Sequence, residues 1–441
     1  MPAILDLKPE DLDSSDKCSM YTVGILGCGQ RGILYANSFA DAGFNVLCTD
    51  ADASVVKKVA KGKVAFSQPE AEMKLKKLIT KGQITVSGEL KRIVSKSDVV
   101  IIAFTAEVNE QKKSNIFQIT NSCKQVGAAL KQGALVVYAG IAGLGLINGV
   151  IKETLENSSG LKMGQDFGLA YNPVINTKVP LASQELRVAS NEIKSLNAAS
   201  NVFRNVAKNV KTVNDFRIAE VATLISIAKQ DTSSALANEL AIFCESAKVD
   251  YFECLKMLDP KDQSFWPNIE ETENDEAYLL IENAEILNVK LRLPVLARQT
   301  KDSMVKYAVN FTQDSLRGFG KTLRRSRVAV LGSAKPEATP SVFVRMLEKK
   351  GAKVNLFDSS TKKGTVNPGL LKSSLNEAVE GSDCIVILSA QVQLSQNTLR
   401  RIKPLVKNPG LIVDFTGKMD SSQVETEGFL YRGLGRGNEV T

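Results

Sequence analysis

The sequence predicts an α/β protein in which two Rossmann-like, doubly wound domains are joined by a helical middle carrying a long central helix. Three observations carry that expectation. A glycine turn stands between an apolar strand and a helix within Tyr21 to Asp50. Short apolar strands then alternate with helical patterns as far as Asn172. After a long proline-free stretch with helical apolar spacing, strands of the same kind return beyond Arg327. The expected boundaries are a flexible extension over 1–20, a dinucleotide-binding domain over 21–213, a helical central domain over 214–320 and a second Rossmann-like domain over 321–441.

Val23, Ile25 and Leu26 form the first strand, and Gly27-Cys28-Gly29-Gln30-Arg31-Gly32 supplies a G-x-G-x-x-G spacing where that strand hands over to a helix. Gly27 permits the tight turn, Gly29 leaves the backbone open to a pyrophosphate, and Gly32 lets the helix pack closely on the strand. Amide groups at the helix start then face the phosphates. A second strand, Phe44 to Thr49, ends at Asp50, whose carboxylate is placed to accept from both ribose hydroxyls of NAD and to repel the extra phosphate of NADP.

Composition bounds the remaining possibilities. Apolar and charged fractions of 44% and 24% are those of a soluble globular protein, and 441 residues suffice for two or three domains. The net charge of +8 is modest, and the basic clusters Lys321 to Arg327 and Arg400 to Lys407 lack interleaved aromatics, so no nucleic-acid partner is expected. The seven cysteines, at 18, 28, 48, 123, 244, 254 and 384, show no C-x-x-C spacing; their odd number points to reduced thiols, a cytoplasmic location and no metal. Met1 to Lys17 is acidic and polar and reads as a loose extension, not a targeting segment. Gly133 to Ile151 carries no charge, but its glycines and Asn148 fit a buried strand, a glycine loop and a helix start better than a membrane span. With no histidine in the chain, any acid–base work falls to Lys, Asp, Glu, Tyr or Cys.

Beyond Asp50, helices are expected over Ala53 to Ala60 and Glu70 to Thr80, and short strands over Ile84 to Val86, Leu90 to Ser95, Val99 to Phe104, Ala134 to Tyr138 and Phe167 to Tyr171. From Asn214, Ile218, Val221, Leu224, Ile225, Ala228, Leu236, Leu240 and Phe243 recur near helical spacing, with more apolar positions than a lone connector needs. Further helices follow at Glu276 to Leu287 and Leu293 to Asn310. The third region reads as strand Val328 to Leu331, helix Ser341 to Lys350, and strands Val354 to Phe357, Cys384 to Leu388 and Leu411 to Phe415. Its first turn, Gly332-Ser333-Ala334-Lys335-Pro336, lacks the three-glycine spacing and need not hold a dinucleotide.

This order of parts resembles the UDP-glucose/GDP-mannose dehydrogenase family, the nucleotide-sugar 6-dehydrogenases. The resemblance runs from Tyr21 nearly to the end, through Ser97 to Ile102 before Thr105, Asp166-Phe167 before Tyr171-Asn172-Pro173, Ala219-Glu220, Asn238-Glu239, Val328 to Gly332, and Tyr431-Arg432-Gly433-Leu434-Gly435-Arg436. It implies NAD as cofactor, with Thr105 joining Gly27 to Gly32 and Asp50 in the cofactor site. It also implies a nucleotide-sugar ligand for the last domain and a homodimer built on the central helix.

Members of the family oxidise a sugar C6 hydroxyl to a carboxylate in two hydride transfers, the second through a thioester on a cysteine. Their G-G-x-C-x-P-K-D-x-x-x-L loop is matched here only from Asp275 to Leu279, which puts Glu271 at the nucleophile position. A carboxylate forms no thioester. The lysine of A-E-x-x-K becomes Thr223, the asparagine one turn later Ile227, the glutamate after N-P Val174, and the serine-threonine pair before Gly145 is Gly140-Ile141. Lys229, about 240° around the helix from Thr223, cannot simply substitute. The expectation is an NAD-binding member whose family oxidation is lost or altered. Two alternatives stay open: an active UDP-sugar dehydrogenase with relocated groups, Cys254 being one candidate thiol, or another NAD-dependent dehydrogenase on the same scaffold. Glu270, Glu271, Glu273, Asp275 and Glu276 read as an acidic loop capping a helix in preference to a cation site, and Trp266 either stacks on a ligand or plugs a contact.

Overall fold

The computed structural model describes residues 3–64, 66, 69–109, 111–259, 266–267, 269, 276–334, 339–358, 369–389, 392 and 394–437. They fall into two compact units, Met1–Ile227 with Asp275–Lys290, and Ala228–Asn274 with Leu291–Thr441.

The first unit is built on strands β1 (Thr22–Leu26), β2 (Asn45–Thr49), β3 (Ile84–Val86), β4 (Val99–Ile102), β7 (Leu135–Tyr138), β8 (Gly168–Tyr171), β9 (Glu185–Ala189) and β10 (Asn209–Val213). Between them, β5 (Glu107–Val108) and β6 (Ser114–Asn115) make a small antiparallel hairpin. The eight-stranded sheet has the order β10-β9-β8-β7-β4-β1-β2-β3. Its central pairs are parallel, whereas β8 meets β9 antiparallel, so β9 and β10 run against the rest. Alternate residues serve opposite faces. Val23, Ile25, Val99, Ile101, Leu135 and Val137 enter one core, and Leu26, Val100, Ile102, Val136 and Tyr138 enter the other. Apolar runs without alternation therefore mark strands covered on both sides.

Two expectations fail here. Leu90 to Ser95 is not a strand but part of a helix, Leu90–Lys96, with Ile93 and Val94 buried. Parallel strands β3 and β4 need a crossover between them, and a helix supplies it. Nor do residues 4–18 hang loose. Ile4, Leu5, Leu7, Leu12 and Cys18 are buried with β1, and Asn201 donates to the Leu7 carbonyl at 2.8 Å. Those apolar residues, scattered among charges, cover the Ile193–Phe203 helix. The uncharged stretch from Gly133 resolves into β7, a glycine loop and a helical turn at Leu146–Ile151. No helix among the described residues is long and apolar enough to cross a membrane.

The helices of residues 214–320 are shared between the units. A long helix, Phe216–Ser246, starts in the first unit and ends in the second; Ala277–Ile286 belongs to the first, and Tyr251–Lys256 and Arg292–Gly318 to the second.

The second unit holds β11 (Arg327–Leu331), β12 (Lys353–Phe357), β13 (Cys384–Ile387), β14 (Leu411–Asp414) and β15 (Leu430–Gly433), all parallel, in the order β12-β11-β13-β14-β15. Asp383 lies one residue ahead of β13, its side chain 6% exposed, and ties the amino ends of β11 and β13 together. It accepts from the Arg327 amide at 2.9 Å and pairs with Lys407 at 2.9 Å and Lys321 at 3.3 Å. Burial pushes this carboxyl up, but the Arg327 amide, Lys407 and Lys321 together hold it below its ordinary 3.8. Stability from Asp383 is therefore fully present above that ordinary value and is lost as the pH falls through the lowered folded one. Asp383→Asn should lower stability at neutral pH by about 2 kcal/mol and flatten the acid limb of the stability profile. Urea midpoints taken from neutral to about pH 3 check this; an equally steep acid loss in the variant would contradict it.

Candidate functional site

At the end of β1 each glycine of the turn meets a different demand. Gly27 has φ +97°, a left-handed conformation, and its amide donates to the Thr49 carbonyl at 2.9 Å. A Cβ on Gly32 would lie 1.7 Å from the Gly27 carbonyl oxygen, so the Gln30–Asp41 helix can approach β1 only without a side chain there. Gly29 is the N-cap and has open space where a side chain would stand, with no heavy atom within 4 Å. The first helical hydrogen bond joins the Ile33 amide to the Gly29 carbonyl, which leaves the amides of Gln30, Arg31 and Gly32 at a helix start directed away from the helix.

Cys28 turns its thiol inward, 1% exposed and 3.3 Å from the Thr49 carbonyl, while its amide donates to Asp50 Oδ2 at 2.7 Å. Asp50 Oδ1 also accepts from the Asp52 amide at 3.0 Å, so the carboxylate is fixed at the tip of β2 beside the turn. Open space at Gly29 and an oriented acid fit a dinucleotide. The pyrophosphate would lie against Gly27 to Gly32, and Asp50 would take the ribose hydroxyls.

Arg31 and Thr105 come together, and the protein itself engages both. The Arg31 guanidinium donates to Thr105 Oγ1 at 2.7 Å and to the Val174 carbonyl at 3.2 Å, and pairs with Glu276 at 3.3 Å. Thr105 Oγ1 accepts from the Ile141 amide at 3.0 Å as well, which leaves its own hydrogen as the outward donor. Glu276 heads the Ala277–Ile286 helix without capping it by its side chain; its carboxylate is spent on Arg31 instead. Nothing in the local sequence signals that pairing, since the partners are 245 positions apart.

The positions matched to catalytic groups lie beside this network. Thr223 is fully buried and donates back to the Ala219 carbonyl at 2.7 Å. Ile227, 2% exposed, packs with Ile141, Leu224, Ala277 and Leu279 in a closed apolar cluster. Val174 is buried, and Glu220, fully buried, accepts from the Gly145 and Ile147 amides at 2.7 and 3.0 Å. Burial pushes the Glu220 carboxyl up despite those bonds, and it pushes up the Tyr138 and Tyr171 hydroxyls, so neither tyrosine is an ionised base near neutral pH. Glu271 and Asp275 lie outside the described residues, as do Glu270 and Glu273.

In the second unit, Cys254 sits on the Tyr251–Lys256 helix, and Lys229 is exposed on the long helix. Trp266 is anchored and half open: its indole donates to the Thr416 carbonyl at 2.8 Å and its ring lies 4.8 Å from that of Phe252, with 43% of the residue exposed. Among the described residues no cluster of acids and cysteines is arranged to hold a metal ion.

Residues 21–178 match the model of the UDP-glucose/GDP-mannose dehydrogenase family, NAD binding domain. The chain is similar to a UDP-N-acetyl-D-mannosamine dehydrogenase of Pyrococcus horikoshii, at 24% identity over 94% of this chain and 99% of the relative. It is also similar to the UDP-glucose 6-dehydrogenase YwqF of Bacillus subtilis, at 23% identity over 94% and 97%. The solved structure of UDP-D-ManNAc dehydrogenase from Pyrococcus horikoshii superposes with a TM-score of 0.77, covering 94% of this chain and 99% of that one at 24% identity. An NDP-N-acetyl-D-galactosaminuronic acid dehydrogenase from Methanosarcina mazei Go1 gives 0.68 at 25% identity over 97% and 98%. With its glycine turn and the match over residues 21–178, the chain carries the NAD-binding domain of the UDP-glucose/GDP-mannose dehydrogenase family.

Proposed function

We propose that this protein binds NAD at the glycine turn and a nucleotide-sugar elsewhere, but does not carry out the two-step oxidation of the sugar C6 hydroxyl to a carboxylate. The burial of Thr223 and Ile227 carries the reading. Oxidation of an alcohol needs a proton acceptor and stabilisation of developing oxyanion charge where the hydride leaves. NAD, when bound, supplies the hydride acceptor. The chain's own groups at this edge supply a threonine hydroxyl already donated to Ala219 and an apolar cluster around Ile227. Glu271 at the thiol position adds no nucleophile able to form a thioester. A second reading, an active dehydrogenase with relocated groups, draws support from the full-length relatives named as dehydrogenases.

NAD should bind more tightly than NADP by roughly tenfold to a hundredfold, about 1.4–2.8 kcal/mol, because Asp50 accepts from ribose hydroxyls and repels a phosphate. Calorimetry with both cofactors measures this, and equal affinity would remove the assignment. Gly29→Val should abolish binding, since its side chain would fill the space left for the pyrophosphate.

Purified protein with NAD and UDP-glucose, UDP-N-acetylmannosamine or GDP-mannose should release no uronate and not reach two NADH per sugar. Weak single hydride transfer is compatible with this, because alignment alone accelerates reaction. Two NADH per sugar would establish the second reading. Glu271→Cys alone should not restore activity, as Thr223 and Ile227 remain.

We further propose a homodimer formed by the long helix. On its first half Ile218, Val221 and Ile225 are 56%, 37% and 57% exposed, and on its second half Leu236, Leu240 and Phe243 are 44%, 41% and 67% exposed, each set at helical spacing. Such faces are stable when a second copy covers them. Light scattering at micromolar concentration should give twice the monomer mass, and Ile225→Asp with Phe243→Asp should give a folded monomer. A monomeric parent protein would contradict the proposal.

A further inference from the structure

A dinucleotide on a doubly wound sheet lies across the point where the strand order reverses, with one mononucleotide on each side. In the first unit that point falls between β1 and β4: β2 and β3 continue to one side, β7 and β8 to the other. The two sides differ. Toward β2 the backbone is open, with no heavy atom within 4 Å of a Cβ built on Gly29, and Asp50 is fixed at the strand tip by the Cys28 and Asp52 amides. Toward β4, β7 and β8 the chain itself occupies the carboxyl ends.

Arg31 spans that second side. Its Nε donates to the Val174 carbonyl at 3.2 Å, its Nη1 to Thr105 Oγ1 at 2.7 Å and its Nη2 to Glu276 at 3.3 Å, so each guanidinium nitrogen has a protein acceptor. Thr105 follows β4 and Val174 follows β8, and Thr105 also accepts the amide of Ile141, which follows β7, at 3.0 Å. The side chain thereby joins the loops beyond three neighbouring strands, and its ion pair with Glu276 is largely buried. Those loops also close on one another. A Cβ on Gly140 would lie 2.1 Å from the Phe104 carbonyl oxygen, the Leu144 amide donates to Asn283 at 2.9 Å, and Ile141 packs with Ala277 and Leu279. A ribose and nicotinamide entering here would have to lift Arg31 from its acceptors and leave the Glu276 carboxylate buried without its cation.

We propose that the first unit recognises only the ADP half of NAD. The site takes adenosine diphosphate nucleotides with free ribose hydroxyls, and Arg31, held by Glu276, is the specificity-determining residue that keeps the nicotinamide half in solvent. This inference rests on the NAD reading above and narrows it. Binding comes from the diphosphate on the amides of the glycine turn and from the adenosine ribose on Asp50. Those contacts are common to ADP, ADP-ribose, NAD and NADH, so the redox state of the nicotinamide does not alter affinity.

Calorimetry should place the dissociation constants of ADP, ADP-ribose, NAD and NADH within about threefold of one another. NADH bound to excess protein should keep the emission maximum it has in water, because a dihydronicotinamide left in solvent undergoes no blue shift. Arg31→Ala combined with Glu276→Ala removes both charges together and leaves neither unpaired; this variant should blue-shift bound NADH and favour NAD over ADP by about tenfold. A blue shift on the unmodified protein, or NAD tighter than ADP by about tenfold or more, would overturn the inference while leaving NAD binding in place. A double variant folded by circular dichroism whose bound NADH still emits as in water would overturn the role given to Arg31. Failure of all four nucleotides to bind would remove the NAD reading, and this one with it.

Discussion

In each sheet, an acid at the end of the second strand accepts the amide of the turn that follows the first. Cys28 donates to Asp50 at 2.7 Å and Ala334 donates to Asp358 at 2.8 Å. The contact closes the βαβ unit at its carboxyl end, and in the first unit it does more. It holds Asp50 still while the Gln30–Asp41 helix settles on β1 through Gly32, so the space at Gly29 and the acid reach the ligand side together. Two sheets of different size and order share this one local device, yet only the first adds the glycine spacing that opens the backbone to a pyrophosphate.

Arg31 extends that organisation outward. Its guanidinium draws Thr105, the Val174 carbonyl and Glu276 to one point, with the Arg31 and Glu276 side chains only 12% and 13% exposed. Glu276 leads a helix that fastens onto the same unit elsewhere. Asn283 accepts from the Leu144 amide, Glu282 from the Ser114 amide, Glu285 pairs with Lys113, and Tyr278 lies under the Lys112 ammonium. The segment Asp275–Lys290 thereby belongs to the first unit although chain on both sides of it belongs to the second. Glu220 contributes from a third direction by gathering the Gly145 and Ile147 amides, so the carboxyl end of the sheet is built from distant pieces of chain.

Such a scaffold keeps the geometry for a dinucleotide while the edge beside it becomes dry. Ile141, Leu224, Ile227, Ala277 and Leu279 pack together where the family resemblance would place polar groups. An apolar cluster needs no satisfied hydrogen bonds and stabilises by burial, so it strengthens the fold at the position where chemistry would need solvent-competent charge. On the proposed reading fold and reaction are separable here, and likeness along the full chain speaks for the first more directly than for the second.

The sequence by itself determined the two doubly wound sheets, because strands buried on both faces write themselves as unbroken apolar runs such as Val99 to Ile102 and Cys384 to Ile387. It determined the glycine turn and Asp50 equally, since Gly27 and Gly32 each meet a local steric demand that no other residue satisfies and Gly29 leaves the space beside them open. It was silent where a residue's role depends on a remote partner. Short strands β9, β10 and β15 are strands only because a neighbour completes their hydrogen bonds, and Leu90 to Ser95 is helical because the parallel strands on either side of it need a crossover. Residues 4–18 look polar and loose in the sequence, yet a few apolar side chains among the charges suffice to dock them once the Ile193–Phe203 helix is in place. Only the tertiary structure decided that Arg31 is held by Glu276, because side-chain pairing across folded segments is set by packing and leaves no periodic trace along the chain.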